Sequence, residues 1–125
     1  MYFEPTNTVE KGRKSEEVAS GYLLKNGYKV LYRNWTCYAG EIDIVAFTDH
    51  LVFVEVKSVY SSDLIYPSEL FTLRKRRKLT RSILYYIQKN DVRSCDWQLD
   101  LICIKRKFNG YSLRHFKNVT ELPLL

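Results

Sequence analysis

The sequence predicts an α/β sandwich with the element order αβββαββ. Three observations lead there. Two segments carry apolar residues at helical spacing, and five shorter ones carry β-branched and aromatic runs bounded by turn residues. Their order sets one helix ahead of three strands and a second between the third and fourth, which is neither a bundle nor a barrel.

The first helix falls within residues 8 to 26, where Val18, Ala19, Tyr22 and Leu23 form one stripe and Asn26-Gly27 supplies a left-handed stop. A short strand follows at residues 28 to 32 and resumes toward Tyr38. Gly40 punctuates, and residues 41 to 47 form the second strand. Thr48-Asp49-His50 is a polar turn into the third, residues 51 to 58. The second helix occupies about residues 70 to 90, with Leu79, Ile83, Tyr86 and Ile87 as its apolar stripe. Residues 97 to 104 make a fourth strand, and Asn109-Gly110 turns the chain into a fifth at residues 111 to 116.

A chain of 125 residues is expected to form a single domain across residues 1–125, with no linker or repeat to divide it. With 46% hydrophobic residues the composition is globular. No apolar run approaches the roughly 18 residues that span a bilayer. The first eight residues lack the basic-then-apolar pattern of a secretory signal. Cys37, Cys95 and Cys103 are odd in number and fall in no metal or redox spacing, which suits a reducing compartment. A soluble cytoplasmic protein is expected. Twenty Lys and Arg against 14 Asp and Glu leave a net charge of +6, so an acidic polymer is its natural partner.

Strands two and three are apolar on both faces, as in a central pair covered from two sides. Alternation puts Glu41, Asp43, Val45 and Phe47 on one face and Ile42, Ile44 and Ala46 on the other. If Thr48 to His50 is the loop, Phe47 pairs with Leu51, Asp43 lies opposite Glu55, and Glu41 lies opposite Lys57. Directly opposed side chains start about 5 Å apart. Two anions at that distance repel unless a cation intervenes or one is protonated. Hard oxygen ligands so placed suit Mg²⁺ or Mn²⁺. Lys57 would then neutralise charge on a phosphate held by the metal. A structural charge pair at a solvated strand edge is the alternative.

The strings Gly-Glu-Ile-Asp-Ile at residues 40–44 and Phe-Val-Glu-Val-Lys at residues 53–57 resemble the PD-(D/E)XK nuclease motif. The whole chain resembles the small bacterial YraN-type family more closely. That family's helix pattern G-x-x-G-E-x-x-A-x-x-Y-L matches residues 12–23 except at Ser15. Its other features fall on Arg33-Asn34-Trp35, the basic cluster of residues 74–81, and Asp100. The resemblance covers about residues 10 to 118. It implies a three-layer sandwich with a central mixed sheet, restriction endonuclease-like and akin to Holliday junction resolvases. It further implies metal ligation by Asp43, Glu55 and the Val56 carbonyl, Lys57 as the catalytic lysine, and Glu16 as the helix-borne acid. Val59 and Gln98-Leu99 stand where the family often carries arginines.

Helical geometry separates Glu16 from its neighbour. Glu16 lies about 90° from the centre of the Val18–Leu23 stripe, and Glu17 lies nearly opposite it. Glu16 can therefore reach a site at the helix–sheet junction, through a metal-bound water, the alternative being a boundary residue paired with a neighbouring Lys or Arg; Glu17 faces solvent.

Between Leu70 and Asn90 there is no acidic residue, and Arg74, Lys75, Arg76, Arg77, Lys78 and Arg81 crowd the first half of the second helix. Cations there oppose the helix dipole. A phosphate backbone would turn that liability into binding through counterion release; the alternative is a solvated face. Lys105, Arg106, Lys107, Arg114, His115 and Lys117 would extend the surface. Tyr60, Tyr66 and Trp35 are either base-stacking residues or core anchors. His50 and His115 have no zinc spacing. The expected function is Mg²⁺- or Mn²⁺-dependent cleavage of DNA with little base specificity, branched DNA included. Junction cutting would favour a homodimer. The alternative is a non-catalytic nucleic-acid-binding or protein-interaction module on the same fold.

Overall fold

In the computed structural model, residues 8–59, 71–92 and 96–121 are described. They form α1 (Thr8–Lys25), β1 (Lys29–Cys37), β2 (Gly40–Phe47), β3 (Leu51–Val59), α2 (Leu73–Lys89), β4 (Trp97–Lys107) and β5 (Gly110–Phe116), then a 3₁₀ turn at Val119–Glu121. The order is αβββαββ, as the sequence predicts. Tyr60, Tyr66 and Cys95 lie outside the described residues. No helix among the described residues is long and apolar enough to cross a membrane.

Local signals end the helices. Gly27, at φ 86, closes α1 in a Schellman pattern: its N–H donates to Leu24 O at 3.2 Å and the Tyr28 N–H to Leu23 O at 3.0 Å. Thr72 caps α2, its hydroxyl accepting from the Lys75 N–H at 3.3 Å.

The strands lie in sequence order in one mixed sheet. Neighbours run antiparallel except β3 and β4, which are parallel because α2 carries the chain back across the sheet. The helices cover opposite faces. Leu79, Ile83, Tyr86 and Ile87 of α2 pack on Phe53, Leu99 and Leu101. Ala19 and Leu23 of α1 pack on Ile44, Val54, Ile102 and Ile104. Three layers result, and two-sided cover explains the continuous apolar runs of β3 and β4. Each large side chain so buried contributes about 1.5 to 3 kcal/mol.

The β2–β3 register is the predicted one, from Phe47–Leu51 to Ile44–Val54, closed by a Thr48 N–H to His50 O bond of 3.1 Å. There the ladder stops. The expected cross-strand pairs Asp43–Glu55 and Glu41–Lys57 are therefore not ladder pairs. The predicted alternation also fails at this point. Ile42 joins the α2-side core with Val45, whereas Ile44 and Ala46 join the α1-side core. Strand β2 stays with β1 to its end, through Cys37–Gly40, while leaving β3. Asn34, opposite Asp43 between the pairs Arg33–Ile44 and Trp35–Ile42, takes a left-handed φ of 53. An irregularity of this kind bends a strand and re-aims its side chains.

Candidate functional site

The fork between β2 and β3 is where the acidic side chains collect. Asp43 fills it: its Oδ2 accepts the Val56 N–H at 2.9 Å. With the alternation broken, Glu41 and Asp43 turn toward α1, where Glu16 waits. One carboxylate oxygen from each of Glu16, Glu41 and Asp43 lies within 4.8 Å of the others. Glu55 joins from β3 through a carboxyl–carboxyl hydrogen bond to Asp43. Lys57 follows on the same face, its Nζ 3.6 Å from Glu55 Oε2. Glu41, Asp43, Glu55 and Lys57 open with Lys75 and Lys78 of α2 onto a cleft of about 300 Å³.

Burial and close packing raise the proton affinity of Glu16, Glu41 and Glu55. Burial, the hydrogen bond to Asp43 and the Asp43 charge push Glu55 up to about 8, with Lys57 offsetting part of the rise. Burial, then the Asp43 charge, push Glu16 up to about 7 against a hydrogen bond to Asn34. Burial and Asp43 raise Glu41 as well. The Oε1 of Glu16 is buried without a hydrogen-bond partner. A buried acceptor left unsatisfied is unfavourable, and a hard divalent cation is the species that would satisfy it together with its acidic neighbours. In an extended strand the N–H and C=O of one residue leave on the same edge, so the Val56 carbonyl faces the fork too. The donor set fits a hard divalent cation.

The structure thus gathers Glu16, Asp43, Glu55, Val56 and Lys57 in one place. Glu16 is 9% exposed and Glu17 lies in solvent, as helical geometry requires. Lys57 meets Glu55, and not Glu41 as the extended ladder implied. Of the basic cluster, Arg74, Lys75, Arg77, Lys78 and Arg81 are exposed. Arg76 is a correction: it is 8% exposed, because it precedes Ile83 by two helical turns and lies on the buried stripe. Trp35 packs on Tyr86 at 5.1 Å and serves as a core anchor.

Sequence reasoning missed three features. Glu41 belongs to the acidic cluster; its parity with Asp43 was the available signal. Asn34 reaches Glu16 from β1. Asp100, fully buried, accepts from His115 Nε2 at 2.6 Å, Gln98 Nε2 at 2.7 Å and the Asn118 N–H at 2.9 Å. His115 in turn meets the Tyr22 hydroxyl at 2.9 Å. An acid inside an apolar strand, at a position the family resemblance also marks, was the hint of this network. Consequently His115 is not part of a basic surface, and neither is Arg106, which is 5% exposed beneath α1 and donates to Ser15 at 3.3 Å.

Residues 15–104 match Uncharacterised protein family UPF0102. A UPF0102 protein of Carboxydothermus hydrogenoformans is 40% identical over 118 residues, covering 92% of this chain and 98% of its own. One of Clostridioides difficile is 41% identical over 97 residues, covering 77% and 85%. Among solved structures, Pyrococcus furiosus SfsA in complex with Ca²⁺ aligns with a TM-score of 0.36 and 12% identity, over 86% of this chain and 62% of that one. A likeness that distant carries no argument about function. The family match over residues 15–104 and the 40% identity over nearly the full length of a member show that this chain belongs to the UPF0102 family.

Proposed function

We propose that this protein is a divalent-metal-dependent nuclease of restriction endonuclease-like fold, acting on the DNA backbone with little base specificity. The observation that supports this best is the meeting of Asp43, Glu55 and Lys57 in one cleft that continues into the basic face of α2, with buried Glu16 against Asp43 at the same fork. Glu16, Asp43, Glu55 and the Val56 carbonyl would hold the cation, with Glu41 beside them. When bound, Mg²⁺ or Mn²⁺ acidifies water and withdraws charge from phosphoryl oxygens. The chain's own part is to bind and orient. Lys57 offers its ammonium to the charge that builds on the attacked phosphate. Lys75 and Lys78, at the rim of the same cleft, guide the backbone in.

Incubating the protein with Mg²⁺ or Mn²⁺ and branched, flapped, single-stranded and duplex DNA tests this. Asp43→Asn and Glu55→Gln should each lose cleavage while keeping DNA binding. Cleavage that survives both substitutions refutes the assignment. Salt-sensitive binding with no cleavage under any metal would leave a non-catalytic nucleic-acid-binding module.

A further inference from the structure

Beside the acidic cleft a second, larger depression runs between the β1–β2 turn and α2, with a volume of about 840 Å³. The two share Lys78. Arg74, Arg77, Lys78 and Arg81 line it at positions i, i+3, i+4 and i+7, so they form one face of the helix, and no acidic residue stands among the lining groups. Opposite them is Tyr38. It is 84% exposed and still held in place, its ring set edge-on to Tyr85 at 5.2 Å and 83°. Tyr85 is fixed in turn by Trp35 at 6.1 Å and capped by Lys89 at 5.9 Å. An aromatic ring fixed at the rim of a cationic groove contributes little to the core, yet it presents a surface on which a base can stack.

We infer that this groove binds a single-stranded stretch of nucleic acid, its phosphates on the four cations and one unpaired base against Tyr38. A paired base inside a duplex has no free face to offer. Tyr38 lies three residues before Glu41, a span of at most roughly 10 Å along the chain, so the stacked base would sit close to the acidic cleft. This rests on the nuclease reading above and narrows its substrate to strands with unpaired nucleotides beside the cut, as in a flap, tail or loop.

Fluorescence anisotropy in EDTA, with labelled oligodeoxyuridylate, oligouridylate and a blunt DNA duplex, measures the effect without catalysis. Tyr38→Ala should weaken binding of a single strand about tenfold and change duplex binding less than about twofold, whereas Tyr38→Trp should retain affinity. A loss on both single strands marks shared backbone and base chemistry; a loss on only one assigns the sugar. Tyr38 is exposed, so the thermal midpoint should not move. Equal losses on duplex and single strand, or no loss at all, overturn the inference. Tyr38-dependent binding by a protein that cuts nothing with Mg²⁺ or Mn²⁺ upholds the groove and removes the nuclease reading. A wild-type protein that binds no nucleic acid removes both.

Discussion

Glu55→Gln keeps the shape and the hydrogen-bond donor of a protonated glutamate while removing its ability to ionise. In the folded protein Glu55 holds its proton up to about pH 8, against an ordinary value of 4.5 in an unfolded chain. The folded state therefore binds the proton more tightly than the unfolded one. Its stability is fully present below the unfolded value and falls as pH rises through the window toward 8. Each tenfold difference in proton affinity between the two states corresponds to about 1.4 kcal/mol. The wild type should thus be less stable than the Gln variant by about 4 kcal/mol near pH 8.5, with little gap near pH 4.5. Only 17% of the Glu55 side chain is exposed, so solvent screens little of this difference. Urea denaturation of both proteins in EDTA, over a series of pH values, measures it. Adding Mn²⁺ should reverse the ranking at high pH, because the cation stabilises only the intact set of ligands. A gap that does not change with pH, or a Gln variant less stable than wild type at high pH, would refute the reasoning.

Mn²⁺ affinity should fall as pH drops from about 8 toward 6, since raised Glu55 and Glu16 must surrender protons to the cation; calorimetry in buffers of different ionisation heat should show proton release, and identical heats would contradict it. Arg77→Ala should reduce the salt slope of DNA binding by about one, whereas buried Arg76→Ala should lower the unfolding midpoint and leave that slope unchanged. Asp100→Ala strands three donors and should destabilise the fold by about 3 kcal/mol or more in chemical denaturation, without altering Mn²⁺ binding. Gly40→Ala should destabilise by about 1 to 3 kcal/mol in chemical denaturation, because its φ of 146 is one that L side chains rarely adopt; the added carbon itself has room, 3.4 Å from Lys78 and Ser82 of α2.

The elements were legible because their signals are local. Asn26-Gly27 ends α1 wherever that helix packs, and Asn109-Gly110 turns β4 into β5 from its own backbone preferences. The register of β2 on β3 followed from three turn residues, since antiparallel pairing counts outward from the turn. Burial of Leu79, Ile83, Tyr86 and Ile87 followed from helical period, and Arg76 obeyed the same period despite its charge. There the residue type misled and the periodicity did not.

The sequence alone thus determined the order of elements and the hairpin register, each through rules that act over a few residues. The tertiary structure decided where the β2–β3 ladder ends. That point depends on β1 holding β2 beyond Ile44, with Asn34 in a left-handed turn, and on α1 presenting Glu16 beneath the fork. It also decided that Lys57 meets Glu55, that Glu41 joins Asp43, and that Asp100 closes a network with His115 and Tyr22. Strand alternation has a period but no account of where pairing stops, because pairing stops when contacts with distant segments outweigh the next rung.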